Sequence, residues 1–335
     1  MKIISRKISL FGVVLVTMML SSSIYGAECQ IMTRQIMTQC VSPPDPFPSP
    51  TSAAFNNGII SFTADTNGYP MITTLSVLGS QIVPFDNAGA GFQMDARSSL
   101  GNAYNPTQAG DCTGAASQLL GKTTPWSAPD LSLPSANGFM LSVTPRNYNQ
   151  PGATCPGPGA LLPYIFSFGT SLGDGGGIAK EVMVLDMFIT RLNGSQDLDL
   201  TNSDLPSIFP LASVLPYAYW SPNGTNFYPL TFNGSNNIRV WPYLQNVYVA
   251  GDAVMLCTAG QTFCLALYSN EYTNMYISHR HGLKYELGLL SLIGNGSITD
   301  YDTHMLRRLL VVGTPSTIIS AISGARAAIT NWGDL

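Results

Sequence analysis

From Ile59 onward the chain alternates short apolar runs with turn signals. Ile59-Ile60-Ser61-Phe62-Thr63 precedes Asp65-Thr66-Asn67-Gly68, and Met71 to Leu78 precedes Gly79-Ser80. Runs of this length, rich in β-branched and aromatic residues and closed by Gly, Asn, Asp or Ser, predict strands. The same pattern predicts strands over 138–143, 164–168, 180–191, 247–249, 253–257, 263–268, 275–281, 285–293 and 305–312. Asn-Gly recurs at 57–58, 67–68, 137–138, 193–194, 223–224, 233–234 and 295–296, and it is the leading two-residue signal for a type I′ hairpin turn. Four of these continue into Ser or Thr, at Asn193, Asn223, Asn233 and Asn295, and so match an N-glycosylation acceptor. Turn chemistry alone favours Ser and Thr there, so they are read first as turns.

Helical patterning is scarce. Thr314 as N-cap, Pro315 at the first helical position, and Ile318, Ile322, Ala325 and Ile329 on one face predict a C-terminal amphipathic helix over 316–329. Asp111 to Leu120 is a shorter second helix candidate, with Gly121 as its stop. The expected fold class is therefore all-β in the main: a large antiparallel β-sandwich with few helices. The glycines of Gly173-Asp174-Gly175-Gly176-Gly177 precede a strand-like segment. They lack the helix that a phosphate loop needs and read as a flexible connection.

The N-terminus changes the picture of where this sandwich works. Lys2, Arg6 and Lys7 precede an apolar stretch from Ile8 to Leu20 and a small-residue exit ending at Gly26-Ala27. That is the layout of a secretory signal peptide. Its apolar core is shorter than the ~20 residues that span a bilayer. Three segments are expected: a signal peptide over 1–27, a cysteine loop with a proline-rich strap over 28–50, and one large sandwich domain over 51–335. The expected destination is export, to the periplasm or the extracellular medium, with no transmembrane anchor in the mature chain.

Charge then narrows the partners. Only 10% of the 335 residues are charged, and the net charge is −4. A phosphate-reading surface needs a basic excess, so no nucleic acid is expected as partner. With 45% hydrophobic and 10% aromatic residues, the chain has enough apolar surface for a core and is not of the disordered class. Its six cysteines, Cys29, Cys40, Cys112, Cys155, Cys257 and Cys264, all follow the leader. In an exported chain they read as disulfides. Cys257 with Cys264 fits a hairpin, Cys29 with Cys40 fits a short loop, and Cys112 with Cys155 would remain. The spacings match no metal-binding pattern, so neither metal nor cofactor is expected.

Three constellations carry candidate chemistry. In an extended segment Gln93, Asp95 and Arg97 share one face, because strand side chains alternate with period two. An amide, a carboxylate and a guanidinium together bind hydroxyls, or clamp a substrate carboxylate. The alternative is an Asp95–Arg97 pair at a sheet edge, with Asn105-Pro106 as a turn. Next, Ser278-His279-Arg280-His281 holds two of the three histidines, and His304 is the third. A zinc-type site and an ordinary surface pair are both open readings of it. So is a histidine general base with Tyr285 or Arg280 nearby and a cation such as Arg97 to neutralise a uronate, the parts a polysaccharide lyase needs. Finally, an aromatic stretch runs from Tyr217 to Tyr248. Trp220 and Tyr243 are its expected sugar contacts, against the alternative that these rings fill the core.

Gln93-x-x-x-Arg97, Tyr104-Asn105-Pro106-Thr107-Gln108-Ala109-Gly110-Asp111 and the late Val311-Val312-Gly313-Thr314-Pro315 carry a resemblance. The chain resembles a family of largely uncharacterised secreted bacterial proteins. Their body is similar to the large β-sandwich, or supersandwich, of carbohydrate-processing proteins. The resemblance covers these segments only. It implies a fold and a leaning toward saccharides, and transfers no catalytic residues.

The expected function is thus an exported carbohydrate-directed protein with a polysaccharide or glycan as partner. As an enzyme it would be a lyase before a hydrolase, with Arg97, His279, His281 and Tyr285 catalytic and Gln93, Asp95, Asn105, Trp220 and Tyr243 binding substrate. A hydrolase needs two facing carboxylates, and the sequence offers no recognisable pair. The alternative is a non-catalytic glycan-binding or envelope-associated structural protein. The two part on whether Arg97 and the histidine pair share one face.

Overall fold

The run Val182-Met183-Val184-Leu185-Asp186-Met187-Phe188-Ile189 is too apolar for a strand with one wet face. All eight residues are buried. Met183, Leu185, Met187 and Ile189 enter one hydrophobic cluster, and Val182 and Val184 enter another. Period-two alternation sends them to opposite faces of one sheet, which is therefore covered on both sides.

The structure is a computed structural model. It describes residues 28–29, 40–41, 52–65, 71–84, 92–98, 103–104, 122–125, 128, 130–133, 137–143, 164–191, 198–230, 251–270, 273–280, 284–291 and 303–333. For 93–98, 198–205, 273–280 and 284–291 the description is of the backbone. Contacts divide the chain into two units, Met1–Pro48 and Ser49–Leu335.

In the first unit β1 (Glu28–Cys29) pairs antiparallel with β2 (Cys40–Val41), which sets Cys29 opposite Cys40. The second unit contains β3 (Ser52–Asn56), β4 (Ile60–Asp65), β5 (Met71–Val77), β6 (Ser80–Val83), β7 (Phe92–Ser98), β8 (Ala103–Tyr104), β9 (Lys122–Pro125), β10 (Gly138–Val143) and β11 (Tyr164–Leu172). It continues with β12 (Val182–Arg191), β13 (Leu198–Ile208), β14 (Tyr217–Ser221), β15 (Tyr228–Leu230), β16 (Ala253–Cys257), β17 (Cys264–Tyr268), β18 (Thr273–Arg280), β19 (Lys284–Ser291) and β20 (Thr303–Gly313). The helix α1 (Pro315–Ala328) closes it. These strands form a nine-stranded sheet in the order β15-β14-β16-β17-β20-β12-β11-β10-β9, a five-stranded sheet β18-β19-β13-β7-β8, and a four-stranded meander β3-β4-β5-β6. Among the described residues every strand pair is antiparallel. The expected all-β sandwich is the fold.

Two cores result. Ile60, Phe62, Ile72 and Leu75 of the meander, with Phe92 and Ile208 of the five-stranded sheet, pack on one face of the nine-stranded sheet. The other face receives Ile318, Ala321, Ile322 and Ala325 of α1. Thr314 caps this helix as expected, its Oγ1 accepting from the Thr317 N–H at 3.3 Å. The helix candidate over 111–120 and the strand candidate over 247–249 lie outside the described residues.

The Asn-Gly turns need one correction. Gly58 (φ 91°) and Gly224 (φ 70°) are left-handed, but Asn57 and Asn223 are not, so neither dipeptide is a type I′ centre. Each asparagine instead uses Oδ1 to accept N–H groups ahead of it: Ile59 and Ile60 for Asn57, Thr225 and Asn226 for Asn223. Positive φ at both central positions occurs at Leu78 (49°) and Gly79 (82°), between paired Val77 and Ser80. The glycine-rich stretch after β11 is also no loose connection. Gly175 N donates to Ile178 O, Gly176 N donates to Asp174 Oδ1, and Gly173 N donates to Val182 O.

Candidate functional site

Gln93, Asp95 and Arg97 lie on β7, an extended strand as their alternation requires. Its register with β13 sets Asp199 opposite Arg97, Asp204 opposite Asp95 and Ser207 opposite Gln93. His279 lies on β18 opposite Tyr285 of β19, so the ladder brings that pair together as the lyase reading requires.

It does not bring Arg97 to them. The row of Gln93 runs through Ser207 and Gly288 to Tyr276. From that row Arg97 lies toward one end of the strands and His279 toward the other. At ~3.3 Å per residue and ~4.8 Å per strand, the two Cα atoms are on the order of 25 Å apart. No arginine spans that, so Arg97 and His279 do not meet in one catalytic group. The sequence does not show this, because alternation within a strand leaves the register between strands unset. Asn105, Tyr243, His281, Cys112 and Cys155 fall outside the described residues.

Trp220 is partly buried. It packs against the core shared with the meander and meets Tyr228 across β14–β15, ring centroids 6.3 Å apart. It therefore works chiefly as core, while its indole N–H is buried with no hydrogen-bond acceptor among the described residues. Among the described residues the exposed large aromatics are its neighbours, Tyr217 at 52% and Tyr228 at 53%. Tyr219 accepts a hydrogen bond of 2.7 Å from Gln261 Nε2. From Tyr217 to Leu230, and again from Thr258 to Thr262, no residue is charged. A shallow concavity on β3–β5 is lined by uncharged residues too, among them Asn56, Ser61, Thr63, Thr74 and Ser76.

Cys257 and Cys264 form the expected disulfide, directly opposite each other on β16 and β17. Among the described residues no cysteine is free.

Charge is buried elsewhere. Arg307 of β20 donates to Asp186 and Asp130. Burial alone lowers the pKa of this guanidinium, and the two carboxylates more than reverse that, so it stays charged. Asp252, 5% exposed, precedes β16, and burial pushes its carboxyl up to about 7. Beside it Tyr268 donates to Asn270 Oδ1. Burial, with Asp252 adding to it and Arg326 opposing, pushes this phenol up to about 12.

No protein-family model matches the chain, and no curated protein sequence matches it. Solved structures do resemble it. The Slr1438 protein from Synechocystis sp. PCC 6803 is 12% identical, covering 82% of this chain and 99% of that one, with a TM-score of 0.45. The GH36 α-galactosidase AgaA from Geobacillus stearothermophilus is 8% identical, with coverage of 79% and 41% and a TM-score of 0.48. AgaB from the same organism is 8% identical, with coverage of 80% and 41% and a TM-score of 0.47. This chain thus spans about two fifths of the α-galactosidase chains it resembles. Likeness of that degree assigns neither substrate nor reaction.

Proposed function

We propose that this chain is an exported β-sandwich protein that binds a neutral, hydroxyl-rich glycan without turning it over. The observation that carries the reading is the edge of the nine-stranded sheet, where Tyr217 stands exposed beside Tyr219 and Gln261 with no charged residue in either segment. Sugar rings present apolar C–H faces to aromatic side chains and hydroxyls to amides, and such a surface gives them both. The leader-like N-terminus supports export, to the periplasm or beyond the cell. The lyase reading needs Arg97 beside the histidines, and the register of the five-stranded sheet sets Arg97 apart from His279.

The test is retention of the mature protein on immobilised neutral and uronate-containing polysaccharides, followed both as binding and as release of unsaturated product. Binding to a neutral polymer without product is expected. Product formation lost in His279→Ala would restore the lyase, and absence of retention on every polymer would end the glycan reading.

A further inference from the structure

The turn that joins β16 to β17 runs Thr258-Ala259-Gly260-Gln261-Thr262-Phe263 above the Cys257–Cys264 disulfide. It is pinned from within. Thr258 N donates to Phe263 O at 2.9 Å, Gln261 N to Thr258 O at 3.1 Å, and Phe263 N to Thr258 Oγ1 at 3.1 Å. Gly260 (φ 72°) and Gln261 (φ 56°) are both left-handed. Glycine takes that conformation freely, whereas glutamine pays for it with about 1 kcal/mol of steric strain. Glycine or asparagine at this place would avoid the strain, so it has a structural consequence to be identified.

The consequence is where the amide goes. Gln261 is exposed, yet its Nε2 reaches Tyr219 Oη at 2.7 Å, 42 residues away in sequence. Tyr217 stands two residues before Tyr219 and thus on the same face of β14, and the exposed Pro229 lies opposite Tyr219 on β15. With Nε2 committed to Tyr219, the Oε1 of this exposed amide is left as the acceptor. The O–H of Tyr219 remains a donor, because its oxygen accepts from Nε2.

We propose that Tyr217, Tyr219 and Gln261 form a saccharide subsite in which a neutral sugar ring lies over Tyr217 and two adjacent hydroxyls meet Gln261 Oε1 and Tyr219 O–H. This rests on the glycan reading above and names the place and chemistry of contact. One acceptor and one donor side by side match a vicinal diol, in which one hydroxyl donates and the next accepts. Neither segment carries a charged residue, so neither supplies a cation to a uronate carboxylate.

Gln261→Gly is the deciding variant, because it deletes the amide and relieves the backbone strain, so lost binding is not lost folding. The probes are soluble galactan, glucan, xyloglucan and polygalacturonate, read by affinity electrophoresis of the full mature chain. Gln261→Gly and Tyr217→Ala should each weaken the best neutral probe about tenfold, the loss of one hydrogen bond or one stacking contact. Tyr228→Ala, on the other face of the hairpin, should leave it unchanged, and the melting temperature of Gln261→Gly should not fall. Wild-type binding that survives Gln261→Gly undiminished would overturn this subsite and leave the glycan reading standing. No binding of any probe by the wild type would overturn both.

Discussion

Arg307 Nε donates to Asp186 Oδ1 at 2.6 Å, between two side chains that are each 1% exposed. The two residues are register partners on β20 and β12, so period-two geometry aims both to one face of the central sheet. The same guanidinium holds Asp130 at 2.6 Å and donates to Asn331 O, while Arg307 N donates to Trp332 O. One arginine thus joins two strands, the turn before β10 and the segment after α1.

Arg307→Leu takes from the buried Asp186 the guanidinium that donates to both of its oxygens and should cost about 3–5 kcal/mol. The double variant Arg307→Leu/Asp186→Leu removes both charges and should recover much of that, since Asp130 is 25% exposed and can turn to water. Urea unfolding of the three proteins checks this. A double variant no more stable than Arg307→Leu would mean that the pair's geometry, not its charge balance, sets the cost.

Asp252 predicts a pH dependence of definite sign. Its native pKa of about 7 lies above the ordinary carboxylate value of 3.8, so the native state holds the proton more tightly than the unfolded one. The stability tied to that proton is complete below about pH 4 and lost as pH rises through about 7. Tyr268 stays neutral over this range. Asp252→Asn should flatten the fall, gaining up to about 4 kcal/mol over the wild type at pH 8 and far less at pH 5. Parallel slopes of urea midpoint against pH in the two proteins would assign the titration elsewhere.

Local signals explain what the sequence made legible. The bounds of β10 and β16 and the Thr314-Pro315 start of α1 agree with the pattern, because alternation and capping are short-range. By contrast β13, Leu198-Asp199-Leu200-Thr201-Asn202-Ser203-Asp204-Leu205-Pro206-Ser207-Ile208, carries Asp, Asn and Pro, which disfavour strands, and is held by β7 and β19, both distant in sequence. The site followed the same division. The aromatic stretch was visible, but which ring is exposed depends on the sheet edge. That Gln261 reaches Tyr219 depends on a backbone φ that no composition reveals.

Leu78 is left-handed and 74% exposed at the tip of the β5–β6 hairpin. A branched aliphatic residue is strained there and buries little in return. Leu78→Asn keeps the backbone and relieves the strain, and should stabilise the protein by about 1 kcal/mol. A higher urea midpoint with an unchanged slope is the expected result. A lower midpoint would show that the leucine side chain contributes packing that outweighs its strain.

Asn57 does two separable things. Its Oδ1 accepts from Ile59 and Ile60 N–H and shapes the β3–β4 turn, while its Nδ2 donates to Gly173 O and Lys180 O, both at 2.8 Å. Those two carbonyls flank the glycine-rich connection between β11 and β12, so one amide ties the meander to the nine-stranded sheet. Asn57→Asp retains the acceptor and replaces the donor with an oxygen facing two carbonyls. It should lose about 2 kcal/mol, with faster hydrogen exchange at Gly175 and Val182, whose N–H groups donate within that connection. Asn57→Ala removes both roles without adding repulsion, and should open the turn as well, at Ile60. If Asn57→Asp left Gly175 and Val182 as protected as in the wild type, the connection would be held by its own hydrogen bonds. The tie from Asn57 would then add nothing to its order.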